Sequence, residues 1–233
     1  MHLQPIKEPA VPKSILMLRH SAGYEHSYLP DAEVALKAIG QAEGWKVTTT
    51  HQLQKVTAQT LAETDLLIFA TTGNLAFEPD QKEAIISYVE AGGSFFGIHN
   101  ATDTGYDWPE YGQMIGGYFE GHPWHQRVGV IVEDQQHPAT RMLGERFEVV
   151  DEIYTFKEWD RQRTHVLMRI DNDTVDTSKA HRDDADYAMG WCHDFGQGRV
   201  IYSALGHPDD LWSQPWFRQH IRGCMCWALR QED

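Results

Sequence analysis

Cysteine is scarce in this 233-residue chain, and the three that occur, Cys192, Cys224 and Cys226, form neither an even framework nor the paired spacing of a zinc ribbon. Cys224 and Cys226 sit two apart in a helical pattern, a poor position for a bridge. A disulfide-stapled scaffold is therefore excluded, and a reducing compartment is expected. Long apolar runs are missing as well. No window is long enough to span a bilayer, and the opening MHLQPIKEPAVP lacks the apolar stretch of a signal peptide. The expectation is a cytoplasmic protein with no membrane partner. Basic residues are in deficit: 20 Lys and Arg stand against 34 Asp and Glu, a formal charge of -14. A nucleic-acid backbone rewards clustered Lys and Arg, so no nucleic-acid partner is expected. Internal repeats, low-complexity stretches and charged tails are also lacking.

What is present is a chain that is 41% hydrophobic, enough for one large core. After a Pro-rich arm, residues 1–13, a single domain is expected over 14–233. SILMLR is a short apolar strand, and DAEVALKAIGQAEG follows with apolar positions at helical spacing, closed by Gly44. The pattern repeats with WKVTTT, VTAQTLAET, DLLIFATT, EPDQKEAIISYVEAGG and SFFGIH. Strands separated by single helices predict parallel pairing, so the expected fold class is α/β, with a doubly wound, mostly parallel sheet flanked by helices. In the second half RVGVIVED, RFEVVDEIYTF, HVLMRID, YAMGWCHD and RVIYSAL read as further strands, which either extend the sheet or form an antiparallel flap. A last helix, 214–229, carries Phe217, Ile221, Met225 and Ala228 on one stripe.

Ligands of open α/β sheets bind beyond the carboxyl ends of the strands, so the polar residues there are the candidate site. GGSFFGIHNATD delivers His99 at the end of a buried strand, in a strand-turn-helix outline resembling a nucleophile elbow with histidine in place of serine or cysteine. Ordinary Ser or Cys acyl chemistry is thereby excluded, leaving a base, an acid or a metal ligand. A helical turn after His99 would put Asp103 at i+4, on the same face. Alone, His99 is more economically read as a core histidine. Other strand ends change that balance, because His20, His26, His122, His125, Glu152 and His207 all fall near them. His2, His51, His137, His181 and His220 read as scattered histidines without a site role. No short ligand motif such as H-E-x-x-H occurs, so a divalent ion would have to be assembled by the fold. The aromatics crowding the same segments, among them Tyr24, Trp108, Tyr118, Phe119 and Tyr154, suit stacking on a sugar, though about half should be plain core. Gly116 and Gly117 indicate close backbone approach or a mobile lid.

These segments together, AGYEHS, GGSFFGIHNATDTGYDWPEYGQMIGGYFEGHP, VVDEIYTF and WCHDFGQGRVIYSALGH, closely resemble the ThuA-like (trehalose utilisation) family from about Ser14 to the C-terminus. The resemblance implies a class I glutamine amidotransferase-like fold without glutaminase activity, because the amidotransferase cysteine is replaced by His99. It covers His26 in the G-Y-x-H element, His99, Thr102 and Asp103 in H-x-A-T-D, His122 before a proline, Glu152 in D-E-x-Y, and His207 in L-G-H. Asn100, where most members carry alanine, and His20 depart from the pattern. The implied function is carbohydrate processing, by a lyase or hydrolase acting on 3-keto-glycosides. His99, Asp103 and Glu152 would be catalytic, and His26, Asn100, Thr102, Trp108, His122, Tyr154 and His207 would bind substrate. A divalent metal such as zinc, held by His26, His122 and His207, is left open. No nucleotide cofactor is expected, and the ligand is a small sugar. A non-catalytic sugar-binding module and a partner subunit of an oxidoreductase docked through the arm are the alternatives. A homo-oligomer also stays open.

Overall fold

The computed structural model describes residues 11–233; most of the expected N-terminal arm lies outside the described residues. The first half follows the alternation read above: β1 (Ser14–Ser21), α1 (Leu29–Glu43), β2 (Lys46–Thr50), α2 (Ala58–Ala62), β3 (Leu66–Thr72), α3 (Pro79–Glu90) and β4 (Ser94–Ile98). β3 and β4 are buried at every position, as expected of strands covered on both faces. α1 starts with Pro30 in its first turn and stops at Gly44, whose φ of 74° a glycine adopts without strain. A short helix that the sequence pattern did not reveal, α4 (Pro109–Ile115), comes next, followed by β5 (Tyr118–Val132), β6 (Arg146–Lys157), β7 (His165–Ile170), β8 (Ala188–Phe195), β9 (Gly198–Ser203) and α5 (Pro215–Ala228).

The nine strands of the described residues join one sheet in the order β2-β1-β3-β4-β9-β8-β7-β5-β6. β2, β1, β3, β4 and β9 are parallel, whereas every pairing from β9 outward to β6 is antiparallel. The sheet is therefore mixed, not mostly parallel. The physical reason is the connections: no α-helix lies between β5 and β9, so these strands return without the helical crossover that usually carries a parallel pairing. Both expectations for the second half are realised in part. β7 and β8 widen the sheet, while β5 touches β7 only through Val130, Ile131 and Val132 and otherwise pairs with β6 along its length as a two-stranded ribbon. Phe156 on that ribbon packs on Trp191 and Tyr202, with ring centroids 4.9 and 5.6 Å away, so the ribbon folds back toward the parallel half. Gly116 and Gly117 form no lid. They end α4 and lead into β5, and a side chain at Gly117 would run into Trp159 at 2.8 Å.

No helix among the described residues is long and apolar enough to cross a membrane. α5 covers the sheet with Phe217, Ile221, Cys224 and Met225 buried, and the three cysteines are free and buried. The same helix buries His220, whose Nδ1 donates to the Ala139 carbonyl at 2.7 Å, with Ser203 Oγ 2.9 Å from Nε2. Burial pushes this imidazole down to about 4. Unfolded, it binds its proton near 6.5, so between pH 6.5 and 4 the unfolded chain holds more protons and stability falls as pH falls. That one group contributes a loss of ~3 kcal/mol across the window. Urea midpoints measured from pH 7 to 4 should decline, and His220→Gln should flatten the decline.

Candidate active site

The polar cluster is built where four chain segments meet. β4 ends in Ile98, and His99 takes φ 41°, a left-handed conformation unusual for a non-glycine residue, at the start of a short 3-10 turn over His99–Thr102. That strained corner is the strand-turn outline read from the sequence. Its imidazole is fully buried, and Nδ1 lies 2.7 Å from the Ala204 carbonyl at the end of β9. A carbonyl only accepts, so Nδ1 donates and Nε2 is the ring nitrogen left to face the cluster. Nε2 is buried, has no hydrogen-bond partner, and stands 3.6 Å from Glu152 Oε2.

Glu152 and Tyr154 lie two residues apart on β6 and so share a face. The Tyr154 ring lies over His99 at 4.3 Å between centroids. His207 follows β9, with Nδ1 3.1 Å from Glu152 Oε2, an ionic approach whose direction falls short of a hydrogen bond. His26 comes from the loop after β1. Its Nδ1 meets Asn100 Nδ2 at 3.2 Å, and Asn100 Oδ1 accepts from Tyr28 at 2.7 Å. His26, His99 and His207 form a triangle with centroid spacings of 5.2, 5.3 and 5.3 Å and rings steeply inclined to one another, at 85°, 82° and 70°.

Charge follows this geometry. Burial and the neighbouring His99 and His207 push His26 down to about 3, so it is neutral near pH 7. Burial opposes ionisation of Glu152, but His207 and His99 outweigh it and hold the carboxyl well below its usual range. Glu152 in turn raises His207. Asp103 is raised by burial, against the hydroxyl of Tyr106 donating to its Oδ1 at 2.6 Å.

The cluster forms one wall of a hollow of about 400 Å³ lined by Tyr24, His26, Asp103, Phe119, His122, His125, Glu152, Tyr154 and His207. That volume lies within the range of small-molecule sites. The candidates are not all equally placed. Asp103 reaches the hollow but does not orient His99; the Ala204 carbonyl does, because the turn after His99 is 3-10 and not a full α-helical turn. Thr102 is buried beneath, with Oγ1 3.1 Å from the Tyr202 hydroxyl. Trp108 is absent from the hollow: it stands at the start of α4, stacked on Tyr111 with Lys82 over its ring. His122 sits at the exposed rim, 3.7 Å from Glu152 Oε1, and is not part of the inner triangle, where His99 stands instead. His20 points outward to the His51 carbonyl.

One residue escaped sequence reasoning. Asp151 is fully buried and its carboxylate accepts three backbone N–H groups, from Glu152 at 2.8 Å, Gly206 at 2.9 Å and His207 at 3.2 Å. It clamps the loop that carries His207 to the ribbon that carries Glu152. The signal was there in an acidic pair, Asp151 and Glu152, inside an apolar strand. Gly73 plays a similar part for the other loops: it donates to the Asp103 carbonyl at 2.6 Å, and a side chain there would strike Gly23 at 2.7 Å.

A mixed α/β sheet with imidazoles and a carboxylate gathered at the carboxyl ends of its parallel strands defines an α/β protein whose candidate site is made by the fold and not by a local motif. The chain belongs to the ThuA family, trehalose utilisation, whose pattern matches residues 14–228. It is similar to a ThuA-like protein of Bacteroides uniformis, at 21% identity and a TM-score of 0.78, covering 99% of this chain and 97% of that one. A ThuA-like protein of Parabacteroides merdae is similar at 15% identity and a TM-score of 0.72, with 95% and 91% covered. A protein of Salmonella typhimurium described as cytoplasmic shares 12% identity at a TM-score of 0.56, with 93% and 98% covered. No protein of curated function matches the chain by sequence.

Proposed function

We propose that this ThuA-family protein is a cytoplasmic carbohydrate-processing enzyme that cleaves 3-keto-glycosides, keto derivatives of disaccharides such as trehalose, without a nucleotide cofactor. The observation that carries the reading is the convergence of His26, His207 and Glu152 on a hollow walled by Tyr24, Phe119 and Tyr154, with the His99 imidazole buried directly behind them. Aromatic faces suit the C–H faces of a sugar, and the polar groups suit its hydroxyls and ketone. The amidotransferase-like origin of the parallel half is part of the same reading, with a histidine at the elbow and therefore no glutaminase chemistry.

In a 3-keto sugar the C2 hydrogen is acidified by the neighbouring carbonyl. Asp103 is the base in this scheme: Oδ1 is held by Tyr106, and Oδ2 takes no hydrogen bond among the described residues. Its carboxylate removes the C2 proton, and the electron pair passes into an enolate whose oxygen faces the His26, His99 and His207 cluster. The pair then forms the C1–C2 double bond, the anomeric C1–O bond breaks, and the leaving oxygen takes the proton back from Asp103. Protons and electrons balance with no outside reagent.

Incubation with 3-keto-trehalose and with trehalose itself tests this reading. Consumption of the keto sugar with release of glucose, and no turnover of trehalose, is the expected result. Binding of both sugars without consumption of either would make the protein a sugar-binding module and overturn the reading.

A further inference from the structure

We infer that His26, His99, Glu152 and His207 form a binding site for one divalent transition-metal ion of the zinc class. One ligand atom from each of these residues lies within 4.8 Å of all the others. In tetrahedral coordination with arms of about 2.0–2.1 Å, neighbouring ligand atoms sit roughly 3.3 Å apart. The two nitrogen-to-oxygen edges at Glu152, 3.1 Å to His207 and 3.6 Å to His99, straddle that value.

The independent sign is His99. Its Nδ1 is held by the Ala204 carbonyl, so the fully buried Nε2, which has no hydrogen-bond partner, is the nitrogen turned toward Glu152 Oε2. An imidazole nitrogen and a carboxyl oxygen that face each other in a buried site without a hydrogen bond between them leave a place for a cation. A proton shared between the two would draw them to about 2.7–2.9 Å, well inside the observed 3.6 Å. His207 Nδ1 is likewise buried and without a hydrogen-bond partner.

The surroundings are those of a metal centre. The Ala204 carbonyl accepts from the far nitrogen of His99, and Asp151 fixes the backbone of Glu152 and His207. Three imidazoles and a carboxylate favour zinc, iron, nickel or manganese over magnesium or calcium. The hollow leaves one side of the cluster open to a further oxygen ligand. This site uses the same side chains as the proposed sugar chemistry and deepens that reading, since a cation there would polarise the ketone and hold the enolate oxygen. Binding of the ion itself does not depend on the sugar.

The test uses untagged full-length protein. Elemental analysis as purified, then titration of chelator-treated protein with zinc and with manganese by calorimetry, should give close to one equivalent with a Kd below about 1 μM, as a first-row ion in a His-rich site would. His99→Asn, His207→Ala and Glu152→Gln should each weaken binding at least 100-fold with circular dichroism unchanged. His181→Ala, on the exposed surface, should bind as the unaltered chain does. Absence of stoichiometric binding, or equal binding by the three site variants, would overturn the site. The two readings fail separately: keto-sugar turnover at full rate by metal-free protein removes the ion and keeps the sugar, and tight metal binding without any turnover does the reverse.

Discussion

His99→Asn is expected to lower turnover of a 3-keto-glycoside by ~10²–10³-fold or more, the usual effect of removing one group that stabilises a developing oxyanion. Asparagine is chosen because it tolerates the φ of 41° at this corner and its amide can still donate to the Ala204 carbonyl. The backbone corner therefore survives while the nitrogen facing Glu152 is lost. Substrate binding should fall less than kcat, since aromatic walls and hydroxyl contacts remain. A variant with full kcat and an intact circular dichroism spectrum would remove His99 from the chemistry.

Asp151→Asn should have the largest effect on stability of any single isosteric change near the site. The carboxylate is fully buried and accepts three backbone N–H groups. An amide presents one oxygen and one NH₂, so at least one N–H loses its acceptor and faces another donor. The expected cost is about 3 kcal/mol, which for a domain of this size lowers Tm by roughly 6–12 °C. The loop bearing His207 should shift with it, so activity should fall at temperatures where the variant is still folded. Alanine at Asp151 would leave all three donors unmet and should be worse. A Tm within about 1 °C of the unaltered chain would show that the clamp is dispensable.

Much of the parallel half was legible because burial writes itself into sequence. DLLIFATT and SFFGIH are unbroken apolar runs bounded by helix stops, and the structure finds β3 and β4 there. The start of β5 was not legible. Its first ten residues, YFEGHPWHQR, alternate only loosely, contain a proline and a glycine, and are half exposed, as suits a ribbon with one free edge. Two register shifts between Phe119 and Trp124 blur the period further while re-aiming His122. α4 was missed because seven residues are too few for a helical period to show.

The site divides in the same way. His99, His26 and His207 could be singled out because each follows a strand, and the fold brings strand ends together. Trp108 could not be told from a site aromatic, since core and sugar-facing tryptophans look alike in sequence. It proves to be packing for α4 and α3. Helical spacing points to Asp103 as the neighbour of His99, whereas the acceptor that orients the ring, the Ala204 carbonyl, lies 105 residues away and carries no side-chain signature.

The central claim is that imidazoles and acids from distant segments form one centre that takes a proton from carbon beside a ketone. Proton NMR of 3-keto-trehalose in D₂O reads that step directly. With the protein present, the C2 hydrogen should exchange for deuterium, or be lost as glucose is released, far faster than in buffer, and His99→Asn should abolish the difference. A C2 signal that persists at the buffer rate with saturating protein would contradict it.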